Sequence, residues 1–266
     1  MTIVESIIIA IVEGITEFIP ISSTAHMRIT ENILGISNTD KFTEVFTIAI
    51  QLGAILSVVV LYWKKFFDFS RLSFYTKLII AVIPSLIIGK LFKGYIDSIL
   101  EKPIVIAIIM LAGGVILLFV DDWFKNPQVH KEQDITKMKS FQIGFYQCLA
   151  IVFPGLSRSA ATIIGGMSLK LDRSLAAEFS FLLAVPTMLA ATVYSLYKYI
   201  EDYGAFTSEE IKILTIGNVI AFIVALIAIK FFITMLKKYG FRLWGIYRVV
   251  LGIALLIMIY TGFLKS

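Results

Sequence analysis

Glu13-Gly-Ile-Thr-Glu-Phe-Ile-Pro-Ile-Ser-Ser-Thr-Ala-His26 sets two carboxylates, a run of three hydroxyls (Ser22, Ser23, Thr24) and an imidazole into fourteen residues. Its flanks are hydrocarbon-like: Ile7-Ile-Ile-Ala-Ile-Val12 precedes it, and a long apolar run begins at Val45. Polar groups in such a setting cost free energy unless they are paired or used. Pro20 also stops a helix here, and the apolar runs around the break are too short to cross a bilayer with the break included. Non-helical backbone at membrane depth is tolerated only inside protein or along a cavity. The stretch therefore reads as a re-entrant helix pair carrying a site.

The rest of the chain agrees with that setting. Of 266 residues, 58% are hydrophobic and 16% charged, where a soluble domain carries roughly a quarter charged residues. Six runs approach the ~20 apolar residues that span a bilayer: Val45–Trp63, Leu78–Phe92, Ile104–Val120, Phe179–Tyr197, Ile213–Phe232 and Leu243–Tyr260. Leu78–Phe92 is short, and Lys90 and Lys93 extend it by snorkelling. The expected fold is an all-α, polytopic integral membrane protein with about six transmembrane helices plus two re-entrant helix pairs. The net charge of +5 fits basic loops on one side of a membrane better than nucleic acid, so no nucleic-acid partner is expected. Met1 to Ala10 lacks a basic n-region and reads poorly as a signal peptide. Cys148 is the only cysteine, so no internal disulfide forms.

A second break, Pro154-Gly-Leu-Ser-Arg-Ser-Ala-Ala-Thr162, resembles the first. Adding 134 pairs Glu13 with Gln147, Pro20 with Pro154, Ser23 with Ser157, Glu44 with Glu178 and Lys64 with Lys198. The match resumes later at Lys90/Lys230 and Gly113/Gly252. We read a single membrane domain made of two repeats, about 1–125 and 135–266, each a re-entrant pair plus three spans. Three crossings per half turn the second half upside down, an inverted repeat as in transporters. Loop charge is consistent. Lys64, Lys65, Arg71 and Lys77 follow the first span, Lys125 to Lys139 the third, and Lys237, Lys238 and Arg242 the fifth. These loops share a side, which the positive-inside rule makes cytoplasmic. Glu201, Asp202, Glu209 and Glu210 lie opposite, and Glu13–His26 enters from that outer face.

Glu13 and Glu17, at i and i+4, share a helical face. Two carboxylates in a low-dielectric site suit a divalent metal or an acid/base pair with split pKa values, the plainer alternative being interfacial charges. Ser22, Ser23 and Thr24 are good N-caps. One hydroxyl suffices for capping, and Ser23 and His26, at i and i+3, suit a serine activated by an imidazole. Ser157, Arg158 and Ser159 form the complementary half: a guanidinium fork beside a helix start makes an anion site. Arg158 could otherwise pair structurally with Glu13 or Glu17, which would still join the two breaks. Thr162, one turn on, belongs to the same pocket. Glu44, Glu178 and Gln51 are weaker cavity candidates, and His130 reads as surface.

With these motifs in view, the chain resembles the undecaprenyl-pyrophosphate phosphatases of the bacitracin-resistance family. The resemblance rests on E-x-x-x-E running into P-x-S-S-T-x-H (Glu13 to His26), on P-G-x-S-R-S-x-x-T (Pro154 to Thr162) and on F-x-x-x-x-Q-L-G-A-I (Phe46 to Ile55). Ala25 and Ala160 stand where glycine is expected. The resemblance implies hydrolysis of a prenyl pyrophosphate lipid, dependence on a divalent cation (Mg2+ or Ca2+) at Glu13 and Glu17, and residence in the bacterial cytoplasmic membrane with the active site toward the outer face. A homodimer is an assembly this reading allows. Ser22, Thr24, Ser157, Arg158, Ser159, Thr162 and Gln51 are the expected substrate contacts, and Glu13, Glu17, Ser23, His26 and Arg158 the expected catalytic set. Ser23, His26 or water is the attacking group. The rival reading is a transporter or lipid flippase built on the same inverted repeat.

Overall fold

Thr2 starts the first helix with a capping box: its hydroxyl accepts from the Glu5 N–H, and the Glu5 carboxylate accepts from the Thr2 N–H at 2.7 Å. Glu5 is thereby explained locally. The computed structural model describes residues 1–36, 40–92, 94–95 and 102–264, so Lys93 lies outside the described residues. Its helices are α1 Ile3–Thr16, α2 Ser23–Ile33, α3 Lys41–Leu61, α4 Leu72–Leu91 and α5 Pro103–Trp123, followed by α6 Lys137–Val152, α7 Arg158–Ser168, α8 Arg173–Tyr203, α9 Ser208–Tyr239 and α10 Arg242–Tyr260. Among the described residues there is no strand beyond one isolated bridge, Val129 to Leu171.

Six of these helices, α3 to α5 and α8 to α10, are long and apolar enough to cross a membrane. In α3, α8 and α9 the helix runs past the apolar segment into a polar start that a side chain caps. Asp40 accepts from the Thr43 N–H and Asp172 from the Leu175 N–H. The short second span gains length at its start, where buried Lys77 donates to the carbonyls of Glu132 and Gln133. A lysine inside that helix is thus satisfied by a loop. Helix α3 breaks at Ile50 into Lys41–Ala49 and Gln51–Leu61. The Ile48 carbonyl accepts from Thr192, and the Gly53 N–H donates to Asn218 at 2.7 Å.

Several of the larger helix contacts recur when each helix is exchanged for the one five places on, although α7 packs on α8 without an α2–α3 contact of matching extent. Helix α1 packs on α9 as α6 packs on α4, and α3 on α9 as α8 on α4, while α3 meets α8 and α5 meets α10. Helices α3 and α8 run antiparallel. Thr192, late in α8, reaches Ile48, early in α3, while Lys65, just past α3, pairs with Glu178 near the start of α8. One end of the bundle gathers the basic loops. Lys65 and Arg71 hold Glu132 at 3.1 and 2.9 Å, and Asp121 accepts from the Phe241 N–H and pairs with Arg173. At the other end Phe42, Tyr199 and Phe206 join one apolar cluster near the Glu201–Glu210 loop.

The two breaks share a geometry that the 134-residue offset misses by one. Ser22 and Ser157, 135 positions apart, are both N-caps at positive φ (72° and 78°), and each accepts from the N–H three residues on, Ala25 or Ala160. Gly155, at φ 100°, takes up the extra residue of the second turn. The structural counterpart of Ser157 is therefore Ser22, which sets Ser23 against Arg158. Arg248 of α10, fully buried, ties the turns together. Its Nη1 donates to Pro20 O (3.1 Å) and Leu156 O (2.8 Å), Nη2 to Gly155 O (2.9 Å) and Nε to Met110 O (3.1 Å). Gly113 gives it room, since a Cβ there would lie 2.4 Å from Nη2.

Two substitutions probe this frame. Arg248→Met strands buried carbonyls on both turns and is expected to cost on the order of 3 kcal/mol, read as a lowered midpoint in thermal unfolding of the detergent-purified protein. Gly144→Ala places a Cβ 2.0 Å from Ala81 O where α6 crosses α4. Overpacking there should cost ~1–3 kcal/mol in the same assay.

Candidate active site

Glu17 ends α1, and its carboxylate joins the two halves. Oε2 accepts from the Ser23 hydroxyl at 2.5 Å, and Oε1 from Arg158 Nη2 at 3.1 Å. Both charged side chains are largely buried, 7% and 14% exposed, so the pair is stronger than a surface ion pair but needs its remaining groups satisfied. Arg158 Nη1 donates to the Ser180 carbonyl at 3.2 Å, while its Nε has no partner among the described residues. The Ser180 hydroxyl meets that of Thr162 at 2.6 Å, and Thr162 also donates to the Arg158 carbonyl. Thr162 therefore steadies the arginine's helix from behind. Ser159 works similarly: it contacts Ser157 at 2.9 Å and donates to Ile19 O across the turns. Both residues are fully buried.

A cleft of about 420 Å³ opens in front of this group. Glu17, Ser22, Ser23, Thr24, Ser157 and Arg158 line it, as do Gln51 and Glu44. Glu44 lies in the first turn of α3, which puts the cleft in the half of the bundle nearer the acidic Glu201–Glu210 loop. Met27, Ile48, Ile151 and Met188 supply an apolar side. Polar donors at one end and hydrocarbon along a wall suit an amphiphile with an anionic head. Glu178 lies elsewhere, paired with Lys65. His130 is mostly exposed and touches Asp172.

The pairing of Ser23 with His26 that their spacing suggests is not the one formed. The turn at Ser22 directs the Ser23 hydroxyl back to Glu17, a charged and stronger acceptor. His26 Nδ1 lies 2.7 Å from Ser22 O, and Nε2 lies 2.7 Å from the Tyr247 hydroxyl. A carbonyl only accepts, so in the neutral ring Nδ1 carries the proton and Nε2 accepts from Tyr247. His26 fastens α2 to α10. It holds the turn in place rather than reaching the cleft.

Glu13 is fully buried beside Glu17, and among the described residues its carboxylate oxygens have no polar partner besides that second carboxyl group. An orphaned carboxylate next to a second one fits a proton or a hard divalent cation. No group of three or more His, Cys, Asp or Glu side chains able to hold a metal occurs among the described residues. Glu13 and Glu17 are the residues that would hold such a cation.

Sequence reasoning missed several residues. Arg248 is an arginine inside an apolar span, and that oddity alone marks it. Arg28 and Glu31 follow Thr24 at helical spacing on one face and line the cleft. Ser180 and Thr187 carry no charge and give no sequence signal, while Gln147 is marked only as the repeat counterpart of Glu13; it meets Thr187 at 3.4 Å on the cleft wall.

Known proteins are similar in sequence over nearly the whole chain. Residues 6–254 match the family model described as bacitracin resistance protein BacA. A protein named undecaprenyl-diphosphatase from Flavobacterium psychrophilum is 55% identical over 97% of this chain and 96% of its own length. The Porphyromonas gingivalis protein of that name is 48% identical over 98% of both chains, and the Aquifex aeolicus one 44% over 99% of both. The two serine-capped turns, stapled by Arg248 and joined through Glu17, thus sit in a chain that belongs to the BacA family of bacitracin resistance proteins.

Proposed function

We propose that the chain hydrolyses undecaprenyl pyrophosphate to undecaprenyl phosphate and inorganic phosphate, with the headgroup in the cleft between the two turns and the prenyl chain along its apolar wall. The observation that carries the site assignment is Glu17, bonded at once to a hydroxyl of one half and the guanidinium of the other. The monophosphate returns to service as the lipid carrier of peptidoglycan synthesis. Removal of the pyrophosphate form, which bacitracin sequesters, gives resistance. We also propose that the two halves form an inverted repeat, on the exchange pattern of the packing and the antiparallel run of α3 and α8.

In this reading Ser23 Oγ attacks the terminal phosphorus while Glu17 takes its proton. The bond to the bridging oxygen breaks, and undecaprenyl phosphate leaves. Water then cleaves the phosphoserine, and inorganic phosphate departs. Arg158, released in part from Glu17, holds the phosphoryl oxygens as charge builds on them. Glu13 holds a proton, or with Glu17 a divalent cation that would neutralise phosphate charge. His26, through Ser22 O and Tyr247, keeps the attacking turn in register. The basic loops face the cytoplasm by the positive-inside rule, which opens the cleft to the outer face.

Purified protein should release phosphate from undecaprenyl pyrophosphate, and Arg158→Ala or Glu17→Gln should lower kcat/KM by about 10²–10³, with a lowered thermal midpoint because each leaves a buried partner charge uncompensated. Rapid quench with labelled substrate should trap label on Ser23; label on His26, or none, would sink the serine step. For orientation, Cys148 is buried, so background labelling is low. An impermeant maleimide should modify Asp202→Cys in intact cells and spare Lys131→Cys.

A further inference from the structure

Arg28 stands one turn beyond Thr24 on α2 and lines the same cleft as Ser23 and Arg158. Its Nη1 donates to Glu31 Oε2 at 3.2 Å. The Glu31 side chain is 2% exposed and that of Arg28 26%, so a buried carboxylate anchors a guanidinium that stays open to the cleft. Among the described residues, Nε and Nη2 of Arg28 donate to no protein atom.

The two guanidiniums of the cleft are therefore held by different nitrogens. A phosphate is gripped bidentately by the edge that Nε and Nη2 share, two parallel N–H groups matched to two oxygens. In Arg158 that edge is shared with Glu17, which takes Nη2. In Arg28 the anchor takes Nη1 and leaves the edge whole. A diphosphate ester has two phosphates to satisfy, and Arg158 is already divided between Glu17 and the Ser180 carbonyl.

We propose that Arg28 is a second diphosphate-binding residue, gripping one phosphate through its Nε–Nη2 edge with Glu31 as its anchor. The inference rests on the phosphatase reading and adds a specificity element to it: two phosphates meet two guanidiniums, so the monophosphate product loses a contact and leaves. The contact is made in ground and transition states alike, so it acts on KM more than on kcat.

The test compares wild type, Arg28→Gln and Arg28→Lys in hydrolysis of undecaprenyl pyrophosphate, with inorganic pyrophosphate as competitor. Arg28→Gln is expected to raise KM about tenfold and weaken pyrophosphate inhibition in proportion, with kcat nearly kept; one charged hydrogen-bond pair supports that size. Arg28→Lys should recover little, since a point charge has no edge. A purely structural i, i+3 ion pair would instead lower the thermal midpoint and leave KM and inhibition unchanged, which overturns the proposal. Wild type that releases no phosphate defeats the phosphatase reading; the thermal shift given by inorganic pyrophosphate, wild type against Arg28→Gln, then still decides the binding role.

Discussion

A guanidinium buried with no counter-ion among the described residues is the constraint on which this molecule turns. Arg248 is fully buried and bonds four backbone carbonyls, three of them on the two turns where α1 and α6 give out. Carbonyls past the end of a helix lack intrahelical donors and carry partial negative charge. A cation among them satisfies both sides at once. Neither turn could sit at that depth alone, because its backbone would be unpaired in a dry interior. The arginine makes them one structure.

With the turns fixed, the chemistry concentrates on a single carboxylate. Glu17 receives the Ser23 hydroxyl from its own half and Arg158 from the other, and so senses whether both are in place. The layer behind them is neutral and rigid: Thr162 on Ser180, Ser159 on Ile19 O and His26 on Tyr247. Such supporting contacts hold a site in working geometry without touching a substrate. Glu13 is the exception, a buried acid that among the described residues has only the Glu17 carboxyl group beside it.

Much of this was legible in the sequence. Apolar runs of bilayer length announced the six crossings, and Pro, Gly and hydroxyls inside apolar surroundings announced the breaks. The charges Glu17 and Arg158 were conspicuous for the same reason. What stayed hidden was partnership. The i, i+3 spacing of Ser23 and His26 says that they share a face. It does not say that a left-handed residue before them turns the hydroxyl toward Glu17. Ser180 and Thr187 look like ordinary hydroxyls in a span until tertiary structure brings Thr162 and Gln147 against them. The offset of 134 was off by one at the turns because a single glycine, Gly155, is absorbed within the second.

The matched caps at Ser22 and Ser157 put Ser23 and Arg158 in the same slot of their respective turns. Two identical chains assembled about the same axis would have to fill both slots alike. Two hydroxyls would face a phosphate with no cation, and two guanidiniums would repel each other and offer no nucleophile. Joining both turns in one polypeptide lets each slot be written separately, so that the asymmetry a hydrolytic reaction needs is encoded once, in a single gene, on two turns of matched geometry.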